Sequence, residues 1–308
     1  MPLPDEFTEL AARVRNWGRW GVDDELGTLN LIDDAARQRG AASVVSGKAF
    51  SLSVPLDEDG PQIGIIPGRF NPVHKVFQVN EITIGDEDGT RFSDDSMELA
   101  LQACTHWDAL AHASYGGNLW NGHPADSITE AGASRCDIGK VKTLVSRGVL
   151  LDIARLKGVD VIEAGYAFTG DDLDDAADRA GVTVEPGDVV LLRTGAMALF
   201  LAGDKIGYAS ASGGPSMQSA DWFHDHDVAA VATDTMTFEV FPCERDDLML
   251  PVHALHLVDM GLTQGQNWNL EALAADCAAD GRATFLLSAT PEPVTGGTGA
   301  PVAPVAVK

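Results

Sequence analysis

Three short runs do most to limit the possible folds of this chain: RGVLLDIA (147–154), PGDVVLLRTG (186–195) and VAAVATDT (228–235). Their density of Val, Leu and Ile, bounded by residues such as Pro186 and Gly195, is that of buried strands. Helical stretches alternate with them. TGDDLDDAADRAG starts at Thr169 or Gly170 and closes at Gly181, and SADWFHDHD opens a helix at Ser219. LPVHALHLVDMG ends at Gly261 and NLEALAADCAADG at Gly281, and ATFLLSA adds a further strand. Such alternation predicts an α/β fold.

The first half is richer in strand and loop. Residues 5–16 predict a helix with Phe7, Leu10, Ala11 and Val14 on one stripe. NWGRWGVDDELGTLNLI, punctuated by Gly18, Gly21 and Gly27, reads as a structured loop entering a helix near Ile32. Residues 49–54 and 76–84 alternate as strands do, and the Gly- and Pro-rich DEDGPQIGIIPGRFNPVHK between them reads as a long loop of the kind that often serves function. No repeat, flexible linker or charge block marks a boundary, so a single domain over residues 1–308 is expected. The tail PEPVTGGTGAPVAPVAVK has Val294, Val302 and Val305 to bury and is expected to pack across that domain.

Charge and composition exclude some partners. Acidic residues number 46 against 21 Lys plus Arg, a net charge of −25. Such a chain repels phosphate backbones and anionic bilayers, so neither nucleic acid nor membrane is an expected partner. The apolar fraction of 45% is enough for a sizeable core. Cys104, Cys136, Cys243 and Cys277 are scattered with no C-x-x-C pair, which fits a reducing, cytoplasmic setting. The first residues have no apolar core flanked by basic ones, so no secretory leader is expected. No run approaches the ~20 apolar residues of a membrane span.

The chemistry concentrates in QACTHWDALAH, residues 102–112. Residues two apart on an extended backbone face the same side, so His106 and Asp108 converge. An imidazole and a carboxylate so placed suit Zn²⁺ or Mn²⁺. Gln102 and His112 are further potential ligands. Far along the chain, His253 and His256 are three apart and share a face of a regular helix, where one can reach the site while the other lies on the helix surface. His224 and His226 sit among aspartates, as at a solvated helix end, and His74 and His123 lie in loops. A different chemistry, with Cys104 as nucleophile and His106 as base, is also open. No G-x-S-x-G elbow is present.

These residues resemble the signature H-x-G-T-H-x-D-x-P-x-H of the metal-dependent cyclase-like hydrolases, the kynurenine formamidase and isatin hydrolase superfamily. Thr105, His106, Asp108 and His112 match, whereas Gln102, Cys104 and Leu110 stand where the pattern has His, Gly and Pro. The resulting Q-x-x-T-H-x-D-x-x-x-H is similar to the branch typified by trans-dienelactone hydrolase. NWGRWGVDDELGTLNLI, SYGGNLWNG, RGVLLDIARLKGVD, PGDVVLLRTG, VATDT and GGTGAPV extend the likeness over nearly the whole chain.

The resemblance implies a swivelling β/β/α cyclase-like fold, a mixed central sheet with peripheral helices, assembled as a homodimer or higher homo-oligomer. It implies a small-molecule substrate whose amide, lactone or related cyclic carbonyl is cleaved by metal-activated water. His253 matches the family's distant His, and Gln266 stands at its Glu position. A neutral amide is a weaker ligand than imidazole or carboxylate, so one divalent ion, Zn or Mn, is expected rather than two. The expected ligands are His106, Asp108 and one of Gln102 or His253, with His112 as general base unless it too is a ligand. Thr105 is expected to hydrogen-bond a ligand. Trp17, Trp20, Phe70, Tyr115 and Trp120, with Gln266, are the expected substrate-binding residues. The two glutamines also fit a small-molecule-binding member of the fold with weak or no activity.

Overall fold

The computed structural model describes residues 3–308, so Met1 and Pro2 of the expected 1–308 span lie outside the described residues. A mixed nine-stranded sheet runs through the molecule. Its strands, in chain order with one separate hairpin, are β1 (Ala49–Ser51), β2 (Val73–Ile84), β3 (Thr90–Glu98), β4 (His106–Asp108), β5 (Val145–Asp152), β6 (Val189–Arg193), β7 (Ala230–Thr233), β8 (Thr263–Gln266), β9 (Thr284–Ser288), β10 (Gly299–Pro301) and β11 (Val305–Val307). The sheet order is β1-β11-β9-β5-β6-β7-β8-β4-β10, with β2 and β3 paired only to each other. The strands β5, β6, β7 and β8 are parallel, and every other pairing within this nine-stranded sheet is antiparallel.

Layering explains why the central runs are apolar throughout. Leu150, Val189, Leu191, Ala230 and Ala232 enter one core, and Val149, Leu151, Val190, Leu192 and Val231 enter the core on the other face. Successive side chains of a strand point to opposite faces, so a strand covered on both sides needs apolar residues at every position. Each fully buried Val or Leu contributes about 1.5–3 kcal/mol. Helices provide the cover: Phe7, Leu10, Ala11 and Val14 of Asp5–Val14, and Leu173, Ala176 and Ala177 of Gly170–Ala180, enter the second core. A capping box formed by Thr169 and Asp172 starts the latter helix, and Gly181 ends it in the left-handed conformation.

Several elements differ from the sequence expectation. The strand expected over 49–54 stops at Ser51, because the Val54 N–H is taken by Thr105 Oγ1 at 2.9 Å instead of a neighbouring strand. The helix expected near Ile32 begins at Asp34, with the Asp33 side chain capping Ala36 N, after a 3₁₀ turn over Gly27–Leu31. The strand read as 76–84 runs Val73–Ile84 and pairs with β3, a strand the alternation did not reveal. Both strands of this hairpin are exposed almost throughout, so no buried face imposed a legible pattern. The stretch 250–261 is α-helical only over Pro251–Ala254 and continues as a π-helix over Leu255–Met260. The tail packs across the sheet as expected and joins it through β10 and β11. Among the described residues no helix is long and apolar enough to cross a membrane.

Strand β9 lies close against β5 at Gly148, where a Cβ would meet the Phe285 ring at 2.1 Å. Gly148→Ala is therefore expected to overpack the core and destabilise the fold by about 1–3 kcal/mol. An unchanged urea midpoint would show that Phe285 can yield.

Candidate active site

The short strand β4 builds the centre of the site. Its residues alternate: Trp107 packs into the core against Trp268, ring centroids 4.8 Å apart, and His106 and Asp108 share the other side. Antiparallel pairing with β8 sets Gln266 opposite His106. The Gln266 amide donates to Asp108 Oδ2 at 2.7 Å. Three imidazoles surround the same carboxylate. His106 Nε2 is 3.5 Å and His112 Nε2 3.7 Å from Asp108 Oδ1, and His253 Nε2 is 3.9 Å from Asp108 Oδ2. Asp108 is 1% exposed, yet its Oδ1 accepts no hydrogen bond.

Two of the three imidazoles are fixed from behind. His106 Nδ1 is 2.7 Å from the Cys104 carbonyl, which can only accept, so the ring nitrogen donates. His253 Nδ1 is 2.6 Å from Glu239 Oε1, and Glu239 also accepts from the backbone of Val252 and His253. Both rings thereby turn an Nε2 lone pair toward Asp108. Glu239, 1% exposed, escaped the sequence reading. It lies in the run TFEVFP, and the only signal was a carboxylate between apolar residues. Burial works against ionisation of Asp108, but His112, followed by His106 and His253, outweighs it and holds the carboxyl far below its ordinary range. Burial lowers the pKa of His112, Asp108 opposes this, and His253, His106 and Arg69 add to the lowering, which favours the neutral imidazole.

Other expected site residues make contacts of a different kind. Gln102 donates to Thr298 Oγ1 at 3.2 Å, and no hydrogen bond joins it to the histidines or Asp108. Thr105 pins backbone instead of a ligand, donating to the Asn267 carbonyl at 2.6 Å and accepting from Val54 N. Trp17 and Trp20 are partly buried against the main core. Trp120 is fully enclosed, with its indole nitrogen on Asp24 Oδ1 at 3.1 Å, and so has no surface to offer a substrate. The Tyr115 hydroxyl is held by Asp259 at 2.7 and 2.8 Å. Phe70 is exposed on the loop that leads into β2.

His256 is not on the helix surface. The π-helix carries it into the core between Phe223 and Phe238, with centroids at 5.2 and 5.4 Å. His226 stacks on Trp222 at 4.2 Å, and His224 faces Asp225 at the helix end. His123 faces the Asp24 carbonyl, and His74 pairs with Asp95 on the exposed hairpin. Burial pushes the Cys104 thiol up to about 12, which removes the thiolate a cysteine nucleophile needs.

Among the described residues, no three or more His, Cys, Asp or Glu side chains form a ready-made metal cage. The chemistry of the donors nevertheless fits a cation. An ionised, unpartnered carboxylate oxygen faces imidazole lone pairs in a buried setting, an electron-rich cluster that a positive charge would relieve.

The Cyclase family model matches residues 50–240, and the chain belongs to that family. The crystal structure of a novel cyclase is 34% identical, with a TM-score of 0.87 over 96% of this chain and 99% of that one. Isatin hydrolase A from Labrenzia aggregata, solved bound to benzyl benzoate, is 19% identical with a TM-score of 0.64, covering 86% of this chain and 94% of that one. A potential metal-dependent hydrolase with cyclase activity is 16% identical with a TM-score of 0.53, over 84% of this chain and 98% of that one. No curated protein matches the chain.

Glu239 provides a direct check on how the site is held. Glu239→Ala leaves two buried N–H groups and the His253 ring without their acceptor and is expected to cost about 2–4 kcal/mol. Glu239→Gln should cost less, and equal urea midpoints for wild type and Glu239→Ala would refute the anchoring role.

Proposed function

We propose that the chain is a metal-dependent hydrolase that opens a small cyclic amide, lactone or related carbonyl substrate, with His106, Asp108 and His253 as metal ligands and His112 as general base. The observation that carries this reading is the buried, unpartnered Oδ1 of Asp108, faced by His106 and His112 Nε2 at 3.5 and 3.7 Å. Membership of the cyclase family and structural likeness to an isatin hydrolase and a metal-dependent hydrolase support it. His253 is favoured over Gln102 as third ligand, because its Nε2 faces Asp108 while the Gln102 amide is bonded to Thr298. With Gln266 neutral and donating to Asp108, one cation, zinc or manganese, suffices for the cluster. When bound, such an ion lowers the pKa of water toward ~7 and polarises the scissile carbonyl.

The chain's own residues do the rest. His112 is the most exposed of the three imidazoles, at 25% against 2% for His106 and 11% for His253, so a substrate reaches it first. Its neutral Nε2 takes the proton of the attacking water and returns it to the leaving oxygen or nitrogen. Gln266 fixes the rotation of Asp108, and Glu239 fixes that of His253. A homo-oligomer in a reducing, cytoplasmic setting completes the reading and agrees with four free cysteines.

The overall test is elemental analysis of the purified protein together with a lactone and amide hydrolysis screen. About one divalent ion per chain and turnover of at least one ring are expected, and a metal-free protein inert across the panel would refute the reading. His106→Ala should lose the ion and its contribution to thermal stability, since a bound ion stabilises only the folded state. Unchanged metal content would remove His106 from the ligand set. His112→Ala should retain the ion and lose roughly 10²–10⁴ in turnover. Loss of metal along with activity would instead make His112 a ligand, and full activity would eliminate both roles.

A further inference from the structure

The long loop before β2 does more than link strands. Gln62 donates to the Ala103 carbonyl at 2.7 Å, three residues before His106. Asn71 ties the two ends of the loop together, donating to the carbonyls of Glu58 at 3.1 Å and Gln62 at 2.9 Å and accepting from Gln62 N at 2.8 Å. Ile66 packs against the cluster containing Ala103, Cys104 and Met236. The loop is therefore anchored beside the β4 cluster and brings Arg69 and Phe70 there.

Arg69 stands out in a chain with more than twice as many acidic as basic residues. It is half-buried, and its charge is felt by both Asp108 and His112. Burial lowers its pKa, with Asp108 opposing. Yet among the described residues its guanidinium has neither an ion-pair partner within 4.0 Å nor a hydrogen-bonded acceptor; only its backbone N–H is engaged, with the Ile66 carbonyl. Desolvating a guanidinium without a partner is costly, and an acidic protein has carboxylates to spare for neutralising one. At this position the pairing is left to something that arrives.

We infer that Arg69 is a specificity-determining residue that binds an anionic group, most simply a carboxylate, carried by the substrate at a distance from the bond that is cleaved. The inference rests on the hydrolase reading and deepens it by naming the substrate class: a ring amide or lactone with a negative charge. The planar guanidinium fork matches a carboxylate in two parallel hydrogen bonds and orients it, while the neighbouring exposed Phe70 offers an apolar surface for the ring. The charges nearby agree. Gln102 and Gln266 are neutral, and Glu239 is taken up behind His253 by the ring and the backbone, so Asp108 is the carboxylate that faces the Nε2 atoms of the three histidines.

The test compares a γ-butyrolactone bearing a ring carboxylate with the matching carboxamide, a neutral ring of the same size. Wild type should prefer the carboxylate, and Arg69→Gln should raise its KM by about 10- to 100-fold, the worth of a hydrogen bond to a charged group. The kcat for that lactone, both constants for the carboxamide and the metal content should stay near wild type. Arg69→Lys should recover part of the affinity, because a point charge lacks the fork. Equal losses on both lactones would make Arg69 a residue of site assembly, and absence of a carboxylate preference in wild type would equally overturn the inference. If wild type turns over neither ring, the hydrolase reading is decided by the wider screen of lactones and amides. Calorimetric binding of the two intact lactones still decides the role of Arg69: the inference stands if Arg69→Gln weakens only the carboxylate and falls if both or neither weaken.

Discussion

Placing an ionised carboxylate in the interior is the demand around which this site is organised. Asp108 is almost wholly buried, on a strand whose other face is packed by tryptophan. An isolated charge there would cost many kcal/mol or be neutralised by a proton. Here the Gln266 amide donates to one oxygen, and the three imidazoles gathered from separate parts of the chain form with the other an electron-rich pocket that a positive charge would relieve. Each of those groups needs its own backing, so the requirement spreads outward. His106 leans on the Cys104 carbonyl, and His253 leans on Glu239. Glu239 in turn is satisfied by the start of the helix that carries His253. Removing one member leaves its partners buried and unpaired, so the cluster behaves as a unit.

The sheet makes that arrangement possible. Three parallel strands, apolar on both faces, form a rigid base, and the fourth, β8, passes its last residue, Gln266, to the antiparallel β4. Registry between two short strands thus fixes the amide against the carboxylate without any long lever. The loop that carries Arg69 is attached to the same place through Ala103. The proposed chemistry and the inferred substrate contact are then supported by neighbouring but different pieces of backbone.

Legibility in the sequence followed burial. The buried strands β5, β6 and β7 could be read because each position has an apolar neighbour on one face or the other. The convergence of His106 and Asp108 could be read because the period of a strand is two. The hairpin strand β3 could not, since TRFSDDSME buries nothing and so has no pattern to show. His256 misled the reading because three-residue spacing implies a shared face only on a regular helix, and here the π-helix turns the ring into the core. Glu239 was invisible for a deeper reason: its partners lie 13 and 14 residues away, and nothing local marks a buried carboxylate as paired. Trp120, expected to bind substrate, is enclosed in space, and a sequence does not show which aromatics of a loop turn inward.

The exposed hairpin has an implication for how such a protein can change over generations. Arg69 and Phe70 sit just before β2, whose pairing with β3 is almost entirely exposed to solvent and independent of the main sheet. His106, Asp108 and Gln266 belong to strands buried in the interior. Substitutions in the loop and hairpin therefore touch the cheapest part of the fold, while those in β4 and β8 touch the most expensive. With the proposed substrate-reading arginine on one and the reactive cluster on the other, preference for a substrate can drift while the reaction chemistry is held fixed by the stability of the sheet.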